Sequence, residues 1–153
     1  IRMDFPVDPI RSVVMPEGLE EMIDAKPVYA GRGKTDLLVE VATSPEGLAA
    51  LRPHLARVAE LPYRLLILTC EGGGEPYDFV SRCFGPAVGV PEDPVTGSAH
   101  TTLAAYWAKR LDKNKFQARQ ASARGGELGV ELAEDRVFLE GEAVIVVEGQ
   151  LVG

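Results

Sequence analysis

The sequence predicts an α+β domain in which an antiparallel β-sheet, or a barrel, is rolled around one central apolar helix. The helix is expected from about Ser98 to Leu111, and apolar residues occur nearly all round it before Lys109 and Arg110. A helix of this kind is normally buried on most of its sides. The final third of the chain supplies candidate strands separated by short turns, and short loops favour antiparallel hairpins. We therefore expect strands wrapped around this helix.

Local signals define the elements of the first half. Four short apolar segments are expected to form strands, at residues 1–5, 28–32, 36–42 and 64–70. Pro16 and the acidic residues after it predict a helix to about Asp24, because proline suits a first helical turn and acids suit the positive end of the helix dipole. Ser44-Pro45-Glu46 predicts a second helix start, with a hydroxyl cap before the proline.

In the second half, residues 77–84 show the alternation of a strand. Two sets of side chains face opposite ways, namely Phe79, Ser81 and Cys83 on one face and Val80, Arg82 and Phe84 on the other. Arg82 either pairs with a carboxylate such as Asp93, points into a site, or faces solvent from an edge strand. Gly72-Gly73-Gly74 favours a hairpin loop, since the Lys-Ser/Thr of a phosphate-binding loop is absent. The last four strands are expected at residues 116–122, 128–132, 136–139 and 143–147.

Composition limits the classes of function. A length of 153 residues favours one compact domain, and a net charge of -7 argues against nucleic acid and against an anionic membrane surface. No apolar run reaches the roughly 20 residues that span a bilayer, and no signal peptide is visible. The first residue is Ile rather than Met, so we expect a fragment of a longer product, or a processed or trimmed one. Cys70 and Cys83 are too few for a disulfide framework or a zinc site and favour a reducing, cytoplasmic setting.

The most informative segment is Glu-Asp-Pro-Val-Thr-Gly-Ser-Ala-His at residues 92–100, directly before the apolar helix. The first backbone N–H groups of a helix have no partner inside it, and the helix dipole is positive there. Such a helix start can hold the carboxylate or phosphate of a substrate. An ordinary capped helix start uses the same residue types, so both interpretations stay open.

Each residue of this segment has a functional and a structural interpretation. Ser98 either caps the helix or contacts the ligand. Asp93 either orients the ligand and exchanges a proton, or only stabilises the turn. Gly97 either permits close approach of the backbone to a ligand or meets a steric need of the turn. His100 either relays protons or is a hydrogen-bonded packing residue. No His–Asp pattern accompanies Ser98, so we do not interpret it as a hydrolase nucleophile.

Residues 92–100 and several further segments resemble the C-terminal half of the phenazine-biosynthesis PhzF-like proteins, which are relatives of diaminopimelate epimerase. The further segments are Met3-Asp4-Phe5-Pro6, Asp78-Phe79-Val80-Ser81-Arg82 with Phe84 and Pro86, Tyr106-Trp107, Gln120-Ala121-Ser122-Ala123-Arg124-Gly125-Gly126, Gly141-x-Ala143-Val144 and Gly149-x-Leu151. The resemblance keeps its order along essentially the whole chain, and it covers about half of such a protein.

This resemblance implies a diaminopimelate-epimerase-like lobe, with residues 1–153 as a single C-terminal lobe. The family's N-terminal lobe, which carries a proton-transferring glutamate, has no counterpart here. The implied activity is that of a cofactor-independent isomerase or epimerase, with acid/base proton transfer on a small carboxylate-bearing metabolite. In the PhzF-like group the matching aspartate and serine are associated with substrate binding and proton handling, which makes Asp93 and Ser98 the catalytic candidates. The expected substrate-binding residues are Gly97, Ser98, Ala99 and His100.

A non-catalytic metabolite-binding or assembly module, without the glutamate, is the alternative function. A lone lobe leaves one wall of its cleft exposed, and exposed apolar surfaces associate. The expected partners are the N-terminal lobe, as a separate chain or a missing segment, or further copies in a homo- or hetero-oligomer. No metal, cofactor, nucleic acid or membrane is expected as a partner, because the sequence has no metal-ligand cluster and no nucleotide-binding fingerprint.

Overall fold

In a computed structural model, which describes residues 1–74 and 76–150, the chain forms one large β-sheet with helices on both faces. The strands of this described part are β1 Arg2–Pro6, β2 Arg11–Ser12, β3 Pro27–Arg32, β4 Leu37–Val41, β5 Leu66–Gly74, β6 Tyr77–Gly85, β7 Val90–Asp93, β8 Lys115–Gln120, β9 Gly126–Ala133 and β10 Arg136–Glu140. Its α-helices are α1 Leu19–Ile23, α2 Pro45–Ala50, α3 Leu55–Val58 and α4 Gly97–Leu111. A 3₁₀ turn lies at Pro86–Val88.

The strand order of the sheet is β1-β10-β9-β8-β6-β5-β4-β3-β2, and β7 pairs with β6. The expectation of a purely antiparallel sheet or barrel is corrected in two respects. First, β4 pairs with β5 and β6 pairs with β8 in parallel, because helices lie between these strands along the chain and parallel neighbours need such crossovers. Second, the sheet is not closed within the described residues, where β1 and β2 form its two edges.

Helix α4 packs on one face of the sheet. We call the cluster around it the α4-side core; its large members include Leu38, Ile67, Phe79, Leu103, Trp107, Phe116 and Leu139. The nine residues 99–107 of α4 are all buried, which confirms the expectation of a helix covered on most of its sides. Strands β4, β5, β6, β8, β9 and β10 all contribute to this cluster, so the sheet curves around α4 without enclosing it in a barrel.

The three short helices cover the opposite face, which the sequence did not predict. Leu19, Ile23, Leu48 and Val58 from these helices pack there with alternate residues of the central strands. The alternation expected for residues 77–84 is confirmed, because Phe79 and Cys83 belong to the α4-side core while Val80 and Phe84 belong to the opposite core. Strands buried on both faces leave little room for polar side chains, so each buried polar group needs a specific partner.

Arg82 is the charged residue of β6 that lies under α2. It is 7% exposed and forms an ion pair with Glu92, with Nε–Oε1 and Nη2–Oε2 distances of 2.7 and 3.0 Å. Its Nη1 donates to the carbonyl oxygens of Leu48 and Leu51 at 3.1 and 2.8 Å. The partner is therefore Glu92 rather than Asp93, and the guanidinium satisfies carbonyl groups at the C-terminal end of α2 that have no partner inside the helix.

Two helix predictions are confirmed with shifted bounds. The hydroxyl of Ser44 accepts a hydrogen bond from the N–H of Gly47 at 3.2 Å and caps α2. Helix α1 begins at Leu19, three residues after Pro16, and it ends at Ile23. Both cysteines are buried and pack as small apolar residues, and desolvation raises the pKa of each thiol to about 12.

Two further expectations, a glycine loop after β5 and a last strand, are corrected by the structure. The loop expected at Gly72-Gly73-Gly74 is corrected, because these residues belong to the end of β5; Gly73 and Gly74 have φ values of 76° and 119°, beside an irregularity in the β5–β6 pairing between Glu71 and Gly74. The strand expected at residues 143–147 is wrong: these residues pair with no strand of the described chain, and Val144 to Val147 are between 83 and 88% exposed. Their β-branched composition favours a strand, but a strand forms only where a neighbour supplies hydrogen bonds.

Candidate active site

The start of α4 presents unpaired backbone donors. Thr96 is the N-cap, with extended φ and ψ angles of -109° and 100°, and Gly97 is the first helical residue. The N–H groups of Gly97, Ser98 and Ala99 form no hydrogen bond within residues 1–74 and 76–150. Ser98 therefore does not cap the helix, and the donors of Gly97 and Ser98, which are not buried, stay available at the positive end of the helix dipole.

Ser98 is exposed at this helix start and contacts a fixed guanidinium. Its Oγ accepts a hydrogen bond of 2.9 Å from Arg64 Nη2. Arg64 in turn forms a two-point ion pair with Asp36, at 2.9 Å from Nε to Oδ1 and 2.6 Å from Nη2 to Oδ2. Asp36 is only 2% exposed, and its hydrogen bonds to the guanidinium raise the pKa of Arg64. The positive charge beside Ser98 is thus held in place rather than mobile.

Sequence reasoning did not identify Arg64 or Asp36 as site residues. Arg64 was only the first residue of a predicted strand and Asp36 the first residue of another. They meet because β4 and β5 pair in parallel, so that the starts of the two strands lie side by side. The signal that could have found them is a charged residue of opposite sign at the same end of two apolar strands.

Asp93 lies on the turn before α4 and is bound to protein groups. Its Oδ2 accepts a hydrogen bond of 2.6 Å from Thr96 Oγ1, and its backbone carbonyl accepts one of 2.7 Å from Gln120 Nε2. The side chain is half-buried at the end of β7. The geometry therefore shows directly how Asp93 stabilises the turn, and it does not place Asp93 among the residues that line the cleft beside Ser98.

Gln120 fastens this turn to strand β8. It is fully buried; its Oε1 accepts from the N–H of Thr96 at 2.8 Å, and its Nε2 also contacts Thr96 Oγ1 at 3.2 Å. Ser122 adds a hydrogen bond from Oγ to the carbonyl of Pro94 at 2.7 Å. Both residues belong to the segment 120–126 that carried part of the family resemblance. Their contribution to the site is to hold the loop that presents the helix start.

Ala99 and His100 lie beneath the helix start in the α4-side core. Both are 0% exposed, so neither presents surface to the cleft, and the part of Ala99 in substrate binding stays a prediction. His100 Nδ1 lies 2.8 Å from the carbonyl oxygen of Thr96, and its Nε2 has no partner among the described residues. Burial lowers the pKa of His100 to about 4, so its ring is neutral at pH 7. This position favours the packing interpretation of His100; its role in substrate binding stays a prediction.

A cleft of about 740 Å³ opens beside the start of α4. Ser98 and Thr101 line it from the helix, and the segments 5–11 and 32–36 line it from the strands and loops opposite. Its charged lining residues are Asp8, Arg11, Arg32, Lys34, Asp36 and Arg64. The carboxylate of Asp8 accepts hydrogen bonds from the N–H of Lys34 at 2.9 and 3.0 Å and from Thr102 Oγ1 at 3.0 Å. An anion that enters this cleft would meet more positive than negative charge.

Within the described residues, no group of three or more His, Cys, Asp and Glu side chains is arranged to hold a metal ion. None of the helices in those residues is long and apolar enough to cross a membrane. The fold and the cleft together define an α+β protein whose buried helix begins at a cationic pocket. A sequence model described as "Phenazine biosynthesis-like protein" matches residues 10–149, and the chain belongs to this family.

Individual relatives agree with this assignment. The chain is 45% identical over 152 residues to an "uncharacterized isomerase" of Halalkalibacterium halodurans. The alignment covers 99% of this chain and 57% of that protein. The chain is 46% identical over 149 residues to an "uncharacterized isomerase" of Pseudomonas aeruginosa, with 97% and 56% covered. Homologues named as isomerases thus support isomerase activity in the family.

Solved structures show the same fold. A PhzF-family protein of Enterococcus faecalis superposes with a TM-score of 0.87 at 34% identity, over 95% of this chain and 55% of that one. A PhzC/PhzF protein of Clostridium difficile gives a TM-score of 0.84 at 32% identity, over 99% and 57%. The chain therefore spans a little over half the length of the relatives it matches. The family match over residues 10–149 does not say which lobe of the longer relatives this chain represents. Its identity as the C-terminal lobe stays a prediction.

Proposed function

We propose that this chain supplies one half of the active site of a cofactor-independent isomerase or epimerase. The reaction is acid/base proton transfer on a small metabolite that carries a carboxylate. The chain corresponds to the C-terminal lobe of the whole protein, and the principal general base, a glutamate, comes from the N-terminal lobe. The names of the relatives support the class of reaction, and the geometry at the start of α4 supports the class of substrate.

The observation that carries this proposal is the combination of free helix N–H groups with a fixed arginine. The N–H groups of Gly97 and Ser98 lie at the helix start, and Arg64 reaches the same place through its hydrogen bond to Ser98. A carboxylate in that position meets the helix dipole and a guanidinium at once. Removal of an α-proton from such a substrate places additional negative charge near the carboxylate. Each well-placed donor stabilises that charge by about 3 kcal/mol.

In this scheme Ser98 contacts the substrate and Asp93 acts one step behind it. Ser98 is exposed in the cleft, while Asp93 holds Thr96 and so fixes the backbone that presents the donors. Asp93 also takes part in proton transfer, as the family resemblance implies. For this, its carboxylate must release the hydroxyl of Thr96 and bind the substrate instead. Binding of substrate or of the other lobe would have to open that hydrogen bond.

Proton exchange in deuterated water tests the proposal in the complete two-lobe protein. The wild type is expected to incorporate deuterium into small amino or cyclic carboxylic acids, and Ser98→Ala and Asp93→Ala should each slow this exchange by about a hundredfold. Ser44→Ala is the matched control, because it removes the hydroxyl at another helix start that lies far from the cleft. Wild-type exchange rates in both site variants would contradict the assignment of the site.

The second candidate function is a binding or assembly module. The observation that favours it is the apolar surface of Val144 to Val147, which are between 83 and 88% exposed, since exposed apolar surfaces associate. Native mass spectrometry of the isolated protein separates the two functions. A complex with a second chain of similar size supports the two-lobe enzyme, whereas a lone monomer or homodimer supports the module. An upstream coding region that encodes the family's N-terminal lobe with its glutamate would independently support the enzyme.

A further inference from the structure

The charge of the cleft beside α4 is opposite to that of the whole chain. Its lining contains four cationic side chains, Arg11, Arg32, Lys34 and Arg64, and only two carboxylates. The chain as a whole carries a net charge of -7. Local positive charge in an acidic protein concentrates anionic ligands at that place.

The two carboxylates balance only two of the four positive charges. Asp36 is committed to Arg64, and Asp8 is bound by the backbone of Lys34 and by Thr102. Within the described chain, Arg11, Arg32 and the Lys34 ammonium group form no ion pair. The excess positive charge is therefore concentrated at the rim that β2, β3 and Lys34 form.

Arg11 and Arg32 stand directly opposite each other in the antiparallel pair of β2 and β3. Residues in this relation share a face of the sheet, and two like charges there destabilise the pair. Charged side chains do protect exposed sheet edges from association. The other edge of this sheet uses charge differently, since Arg2 of β1 pairs with Glu131 and Glu140 at 3.1 Å each. The unpaired arginines at the β2 edge are thus a local exception.

We infer that the substrate carries two anionic groups, one held at the start of α4 and the other between Arg11 and Arg32. This inference rests on the proposed function, because it takes the carboxylate at Gly97–Ala99 as the first group. The second group is a carboxylate or a phosphate, since both are planar or tetrahedral oxyanions that arginine binds with paired hydrogen bonds. An anion at this position would also remove the repulsion between the two arginines.

Calorimetric titration of this chain tests the inference. The probes are a series of linear dicarboxylates, monocarboxylates of the same carbon number, and inorganic phosphate. The best dicarboxylate is expected to bind about tenfold more tightly than its matched monocarboxylate. Arg11→Gln and Arg32→Gln should each reduce that advantage to less than about threefold, and the dicarboxylate affinity should fall by a larger factor than the monocarboxylate affinity.

Arg136→Gln is the control of equal charge, because Arg136 pairs with Asp4 outside the cleft. Equal affinities for the two carboxylate series, or an advantage that survives both cleft variants, would overturn the second anion position alone. Binding of no carboxylate at all would overturn the proposed site at α4 and this inference with it. Phosphate that competes with the dicarboxylate in wild type but not in the variants would identify the Arg11–Arg32 position as a phosphate site and support the inference.

Discussion

Gln120→Leu is the substitution that most directly tests how the loop before α4 is held. In the native structure Gln120 satisfies the N–H of Thr96 and the carbonyl of Asp93 with hydrogen bonds of 2.8 and 2.7 Å. Leucine has a similar size and no polar atom, so both backbone groups lose their partner. Thr96 is 6% exposed, and water cannot readily replace the glutamine there.

The expected loss follows from these two groups. A buried backbone group left without a partner costs about 1–3 kcal/mol, so Gln120→Leu should lower the free energy of unfolding by about 3 kcal/mol. Urea denaturation followed by tryptophan fluorescence measures this, since Trp107 is buried in the same core. The matched control is Gln117→Leu, on an exposed position of the same strand, which should change stability by less than about 0.5 kcal/mol. Equal effects of the two substitutions would refute the account of the loop.

Two further predictions concern buried polar groups. His100 has a folded pKa of about 4 against an ordinary value of 6.5, so the unfolded chain binds its proton first as the pH falls. The stability that this residue contributes is fully present above pH 6.5 and declines by about 3 kcal/mol towards pH 4. His100→Gln should remove this pH dependence of the free energy of unfolding. His54→Gln, at an exposed site, should keep it. An unchanged slope in His100→Gln, measured by denaturation between pH 4 and 7, would contradict the burial argument. Arg82→Met leaves the carboxylate of Glu92 without its ion pair and should lower the free energy of unfolding by about 3–5 kcal/mol. Arg52→Met, at an exposed arginine that also donates to carbonyl groups at the end of α2, should cost less than about 1 kcal/mol. Similar losses in the two arginine variants would show that the Arg82 contacts contribute little.

Local patterns predicted the elements that local chemistry determines. The apolar composition of residues 99–107 fixed the burial of α4, and the alternation from Phe79 to Phe84 assigned its side chains to the correct faces. The Ser44 cap was also predictable, because its partner lies only three residues away. In each case the physical cause acts within one or two turns of chain.

Pairings between distant segments were not predictable from those patterns. The two parallel strand pairs depend on where the crossovers place each strand, and a list of strands does not contain that information. The open sheet and the unpaired segment 143–147 also depend on which distant strands become neighbours. Apolar strands show that they will be buried, but they do not show which neighbours bury them.

The residues of the candidate site also divide into those that local sequence predicted and those that it did not. Gly97, Ser98 and Ala99 were identified from the sequence because a helix start creates free donors wherever it occurs. Arg64 is 34 residues from Ser98 along the chain, and no local signal connected the two. His100 is adjacent to the motif in sequence, but the helix turns its ring into the core, so its role in substrate binding stays a prediction.

The most direct test of the central claim is a nuclear magnetic resonance titration of the chain with a small monocarboxylate. The account predicts saturable shifts of the amide signals of Gly97 and Ser98, because these donors bind the carboxylate, and of the Arg64 Nε–H signal, because the bound charge lies beside its guanidinium. Arg64→Gln should weaken the response, whereas Arg136→Gln, a substitution of equal charge outside the cleft, should leave it unchanged. Saturable shifts confined to another surface, or no shifts at the start of α4, would contradict the claim that this helix start is the carboxylate site.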